Sequence, residues 1–284
     1  MRWNRGRRSD NVVDARGRGG MVGGLGIGGI LVVVVLSLVM GEDPLTVLDQ
    51  LGGGQATRVD SRSAVPAGSE DPQVDFVRAV LGDTEDTWRE LFQGAGRQYQ
   101  DPTLVLFRGG VQSACGFASS AVGPFYCPGD QQVYLDLQFF EEMARRFSAA
   151  GDFAQAYVIA HEVGHHVQTL LGVTQQMQAA RQRGARMEGD NGLLVRQELQ
   201  ADCLAGVWAY HAQQRHDWLE EGDLEEALNA ASAIGDDRLQ QQSQGRVVPD
   251  AFTHGTSAQR VRWFKTGFEG GDVNRCDTFN AQRL

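Results

Sequence analysis

The 284-residue chain predicts an α+β fold, mainly helical with a small sheet, preceded by one transmembrane helix. Three observations predict it. Apolar residues recur at helical spacing over much of 74–267. Two short runs rich in Val, Leu and Tyr interrupt them. A stretch without charge, residues 21–40, follows a basic N-terminus.

The basic segment, 1–20, holds Arg2, Arg5, Arg7, Arg8, Arg16 and Arg18 and carries +4, against a formal −10 for the chain and hence −14 for the rest. Such an acidic body excludes nucleic acid as a partner, since phosphate contacts need a basic footprint. Residues 21–40 end in ILVVVVLSLVM and have the length of a membrane span. Arginines precede them and Glu42 and Asp43 follow. The positive-inside rule then places the N-terminus in the cytoplasm and the body on the periplasmic or extracellular side of a single-pass cell-membrane anchor. LVMGEDP lacks a small-x-small site, which disfavours a cleaved signal peptide. Gly24, Gly26 and Gly29 match GxGxxG, but no strand precedes them, so they do not make a dinucleotide site. Gly20, Gly24 and Gly28 fit a helix-pairing face and hence a homodimer, or are simply small residues in a span.

Residues 41–72, with GGG at 52–54 and VPAGSEDP, read as a flexible linker, and the folded domain as 73–284. Helical periodicity covers 74–93. Strands follow at 103–107 and 132–137, then helices at 137–147, 153–171, 174–186, 192–214, 223–243 and 256–267. Asp152 is placed to cap the 153–171 helix and Gly172 to end it. The four cysteines, Cys115, Cys127, Cys203 and Cys276, suit an oxidising compartment. They allow three pairings, of which 115–127 and 203–276 is favoured: the first closes a short loop ahead of a strand, the second ties the C-terminal segment to a helix. A buried free thiol at Cys203 is the alternative.

His161-Glu162-Val163-Gly164-His165 stands within the 153–171 helix. Residues i and i+4 share a helix face, so both imidazoles can reach one Zn2+ ion. Glu162 lies beside that face, where a carboxylate can take a proton from water and return it to a leaving amine. His166 falls about 100° off the face and is a supporting or surface residue. A catalytic zinc needs a third protein ligand. Gln168 and Leu171 stand where an extended HExxHxxGxxH motif needs Gly and His, so the ligand comes from elsewhere. Glu198 is the best candidate, with Asp202 on the same face to accept a hydrogen bond from a ligand imidazole; His211 is its rival.

HEVGHHVQ, ELQADCLAGVW, ACGFASSAVGPFYCPGDQQVYLDL and THGTSAQR together resemble the predicted neutral zinc metallopeptidase family of bacteria. The resemblance spans most of 73–284 and the basic N-terminus, and that family is similar to the gluzincins. It implies a zincin-like metallopeptidase domain, a membrane-anchored zinc endopeptidase acting on a peptide or protein substrate, with His161, His165 and Glu198 as ligands and Glu162 as base. It also suggests His254 as a donor to the oxyanion, against a plain loop or helix-start histidine. Two other functions share the residues: a silent zinc-stabilised binding module, and a hydrolase of non-peptide amides.

Overall fold

The computed structural model describes residues 1–16, 71–119, 122–147 and 151–284. The expected span at 21–40, its glycine face and nearly all of the expected linker lie outside these residues. Among the described residues, no helix is long and apolar enough to cross a membrane.

A four-stranded sheet forms the smaller part of the fold. Its order is β1 (Val12–Asp14), β2 (Thr103–Phe107), β6 (Gln132–Asp136) and β5 (Phe125–Cys127). The β1–β2 and β2–β6 pairs are parallel and β5 is antiparallel to β6. A separate hairpin pairs β3 (Gly110–Ser113) with β4 (Gly116–Ser119). The β2 and β6 strands are buried on both faces, which is why they read as continuous apolar runs rather than alternating ones.

The expectation of a separate basic segment over 1–20 is corrected for its described part. Residues 1–16 belong to the folded body: Val12 and Val13 are buried, and β1 completes the sheet. A three-residue strand among arginines is too short to show a period of two.

The helices carry most of the core. They are α1 (Pro72–Gly94), α2 (Gln138–Phe147), α3 (Asp152–Leu171), α4 (Val173–Gln182), α5 (Leu193–His216), α6 (Asp223–Ala233), α7 (Asp236–Gln244) and α8 (Ser257–Phe268). Asp71 caps α1 by accepting from the Gln73 N–H, so this helix begins just ahead of the expected 74. Gly151, not Asp152, is the N-cap of α3, while Gly172 ends it with φ 86°. The expected 174–186 helix stops at Gln182. The expected 223–243 helix is two, broken at Ile234-Gly235. A Cβ on Gly235 would lie 2.4 Å from the Ser257 nitrogen, so the break lets the chain close against the start of α8.

Apolar residues bury α3 and α5 nearly all round, as expected of central helices. They pack on each other, and α5 packs on α8. Two close approaches set this arrangement. A Cβ on Gly164 would stand 3.0 Å from the Ala201 carbonyl oxygen, and one on Gly267 1.9 Å from that of Cys203. Disulfides join Cys115 to Cys127 and Cys203 to Cys276, the favoured pairing, and the second ties the C-terminal segment to α5.

Candidate metal centre

The absent side chain of Gly164 is what lets α3 and α5 meet closely enough to share a site. His161 and His165 lie one turn apart on α3, and Glu198 faces them from α5. Their donor atoms all fall within 4.8 Å of one another. His161 Nε2 is 3.2 Å from Glu198 Oε2, and His165 Nε2 is 3.4 Å from Glu198 Oε1. Ligands of a tetrahedral zinc with bonds of about 2.0–2.1 Å stand about 3.3 Å apart, so the donor set fits that ion.

The far side of each imidazole is held. Asp202 Oδ1 lies 2.9 Å from His161 Nδ1, and Gln168 Oε1 accepts from His165 Nδ1 at 2.8 Å. Both Nε2 atoms are thereby turned to the same point. Gln168 also donates to the Gln197 carbonyl at 2.7 Å and to Gln200 Oε1 at 3.0 Å, tying the His165 support to α5.

Asp202 is completely buried and fully partnered. Arg260 grips it with two hydrogen bonds of 2.9 Å, from Nε to Oδ2 and from Nη2 to Oδ1, and the Tyr157 hydroxyl donates at 2.5 Å. Burial pushes the Asp202 pKa up, but Arg260 and His161 outweigh it, and the pKa is lowered. Arg260 reaches the site because α8 begins with a capping box, Thr256 with Gln259, that places it on the buried side of the first turn. Sequence reasoning missed Arg260 and the supporting role of Gln168. The capping pattern and the i, i+3 spacing from His165 were the signals available.

Glu162 lines the same cavity, which has a volume of about 600 Å³, and so does His254. Apolar groups such as Phe139, Val158 and Leu239 form much of the remaining wall. His254 is half exposed, with Nδ1 3.3 Å from Asp236 Oδ1. Asp236 also accepts from the successive backbone N–H groups of Thr253, His254 and Gly255 at 2.7, 2.6 and 3.0 Å. The α6–α7 break thus places a carboxylate that shapes the loop presenting His254, a role sequence reasoning did not assign. Two histidines fall elsewhere. His211 Nε2 lies 3.0 Å from the Gly271 carbonyl, outside the donor cluster. His166 is buried, not on the surface: Nε2 meets the Gln100 carbonyl at 2.6 Å and Nδ1 the Tyr126 hydroxyl at 3.1 Å.

The electrostatics suit a cation. Burial pulls His161 down, but Asp202 and Glu198 outweigh it and raise its pKa to about 10. The His165 pKa is also raised, by Glu198 against burial. Burial raises Glu198, yet the two imidazoles hold it well below the usual carboxylate range. Without metal the cluster therefore retains protons that a zinc ion must displace. Zinc titrated into metal-free protein at pH 7.5 is expected to release protons, seen as a buffer-dependent heat by calorimetry. Glu198→Ala should lose most of the affinity and His211→Ala should not. The reverse order would show the third ligand to be misassigned.

The family described as "Putative neutral zinc metallopeptidase" matches residues 1–279. The uncharacterized protein YpfJ of Escherichia coli (strain K12) is 50% identical over 287 residues, covering 98% of this chain and 99% of its own. The uncharacterized protein Rv2575 of Mycobacterium tuberculosis is 47% identical over 218 residues, covering 73% of this chain and 71% of its own. No solved structure matches the chain.

Proposed function

The chain belongs to this neutral zinc metallopeptidase family, and from that premise we propose that it is a zinc-dependent peptidase with a gluzincin-like centre. The observation that carries the reading is the convergence of His161, His165 and Glu198 beside Glu162 in one largely apolar cavity. Zinc, when bound there, supplies a Lewis acid and lowers the pKa of water. Glu162 takes the proton of the attacking water and passes it to the departing amine nitrogen. Asp202 and Gln168 hold the two imidazoles in register from behind. The apolar wall receives side chains of a peptide substrate and limits water around the developing charge. Attachment to a membrane through residues 21–40 belongs to the same proposal.

His254 donates to the oxyanion from Nε2 as the imidazolium, its Nδ1–H shared between the Thr253 hydroxyl at 2.9 Å and Asp236 Oδ1 at 3.3 Å. The hydrogen bond to Asp236 raises the His254 pKa above its ordinary value, although burial opposes it. The sign follows: the donor is present below that pKa and is lost as pH rises through it. Removing the carboxylate lowers the pKa, so the alkaline limb should move to lower pH.

The test is hydrolysis of a broad peptide library by the full chain. Cleavage should disappear on chelation and return with zinc. In Asp236→Asn, the alkaline limb of kcat/KM should move to lower pH while zinc content is kept. A zinc-loaded protein inert on such libraries would favour a binding module, and cleavage confined to non-peptide amides would change the substrate class. An unshifted limb would remove His254 from the chemistry.

A further inference from the structure

The arginines at the start of the chain read, in the sequence, as a topology signal, because Lys and Arg ahead of an apolar stretch mark its cytoplasmic end. In the folded protein they are engaged elsewhere. Arg8 Nη2 pairs with Asp75 at 2.7 Å, and Arg7 Nη2 with Glu85 at 2.5 Å and Asp86 at 2.9 Å. Arg16 Nη1 pairs with Asp71 at 2.7 Å and its Nη2 with Asp14 at 2.7 Å. All but Asp14 of these carboxylates belong to α1 or its N-cap.

The contacts of Ser9 are more telling, because they are buried and directional. Ser9 Oγ donates to Glu85 Oε1 at 2.5 Å, and Arg78 Nε donates to the Ser9 carbonyl at 2.8 Å. Strand β1 pairs Val12 with Leu104, Val13 with Val105 and Asp14 with Leu106, and Val12 shares one hydrophobic core with Val74 and Val77 of α1. Its backbone bonds are closed at both ends: Leu104 N–H donates to the Asn11 carbonyl and Ala15 N–H to that of Leu106, each at 2.8 Å. Without β1, the Val12 and Val13 side chains and one edge of β2 would be exposed.

A hydrocarbon core roughly 30 Å thick cannot separate two strands that share a ladder with a spacing of about 4.8 Å. We infer that residues 1–16 and the domain from Asp71 onward fold on the same side of the membrane. Residues 21–40 then do not carry the chain across once between a cytoplasmic N-terminus and an external domain. The protein meets the bilayer from one face, and the N-terminal arginines serve the fold rather than orient a single-pass anchor. The two disulfides suit an oxidising compartment, which puts that shared side outside the cytoplasm.

The test uses the full chain in spheroplasts. All described cysteines are paired, so an added cysteine supplies the reactive thiol. Asp10 and Asp250 have side chains 89% and 90% exposed, and Asp10→Cys and Asp250→Cys report on the two parts. A membrane-impermeant maleimide should label both before lysis; joint labelling only after lysis would keep the shared side and move it to the cytoplasm. A second variant, Arg16→Cys with Asp71→Cys, should be joined by a short bismaleimide in the membrane-embedded protein. Labelling of one position before lysis and the other only after it overturns the inference. So does absence of the crosslink in protein that retains its zinc, or a mature N-terminus near Gly41.

Discussion

Glu162→Gln is expected to lower peptide turnover by about 10²–10⁴-fold, the usual range for a positioned general base. The amide has nearly the volume of the carboxylate but cannot accept the water's proton at neutral pH. Glu162 is 8% exposed and points into the cavity, so the substitution removes a proton acceptor without opening a void. It lies outside the His161, His165 and Glu198 donor set, so zinc content and melting temperature should stay close to wild type. Single-turnover kinetics beside metal analysis give the answer. Turnover within about tenfold of wild type, with zinc fully bound, would exclude Glu162 as the base.

Loss of Arg260 should produce the largest change in stability. Asp202 and Arg260 have side chains 0% and 2% exposed, and the guanidinium supplies two of the hydrogen bonds to that carboxylate. Removing one member of a buried ion pair costs about 3–5 kcal/mol, because the other charge is left uncompensated. Arg260→Leu is therefore expected to lower the melting temperature by on the order of 10 °C in a domain of this size. Zinc affinity should fall about 10–100-fold, since Asp202 orients His161. Arg260→Lys should recover only part of this, as an ammonium cannot make the paired contact. The double variant Arg260→Leu with Asp202→Asn should regain stability over Arg260→Leu alone, because the stranded charge is gone. An Arg260→Leu protein with unchanged melting and zinc affinity would show that Asp202 needs no cation behind it.

Legibility followed sequence distance. The α3 helix and the pairing of His161 with His165 were readable because a helix places i and i+4 together whatever surrounds it. Glu198 and Asp202 were readable as a pair for the same reason, though which partner they face is settled by the approach of α5 to Gly164. Cysteine spacing alone carries no pairing, so the 115–127 and 203–276 bridges rest on which segments pack together. Strands β1, β3, β4 and β5, of three or four residues each, are too short for an alternation to stand out.

The features legible along the chain are local: most of the helices, the two longer strands, the HExxH spacing and a second acidic helix face. These depend on backbone periodicity and on residues a turn apart. Packing in three dimensions joined them to distant groups. It set Arg260 against Asp202 across 58 positions, Asp236 against His254 across 18, and β1 against β2. The physical reason is that a buried carboxylate must find its cation, and a sheet edge its neighbour, wherever the packed chain brings one near. Such requirements act through space and leave no fixed spacing along the chain.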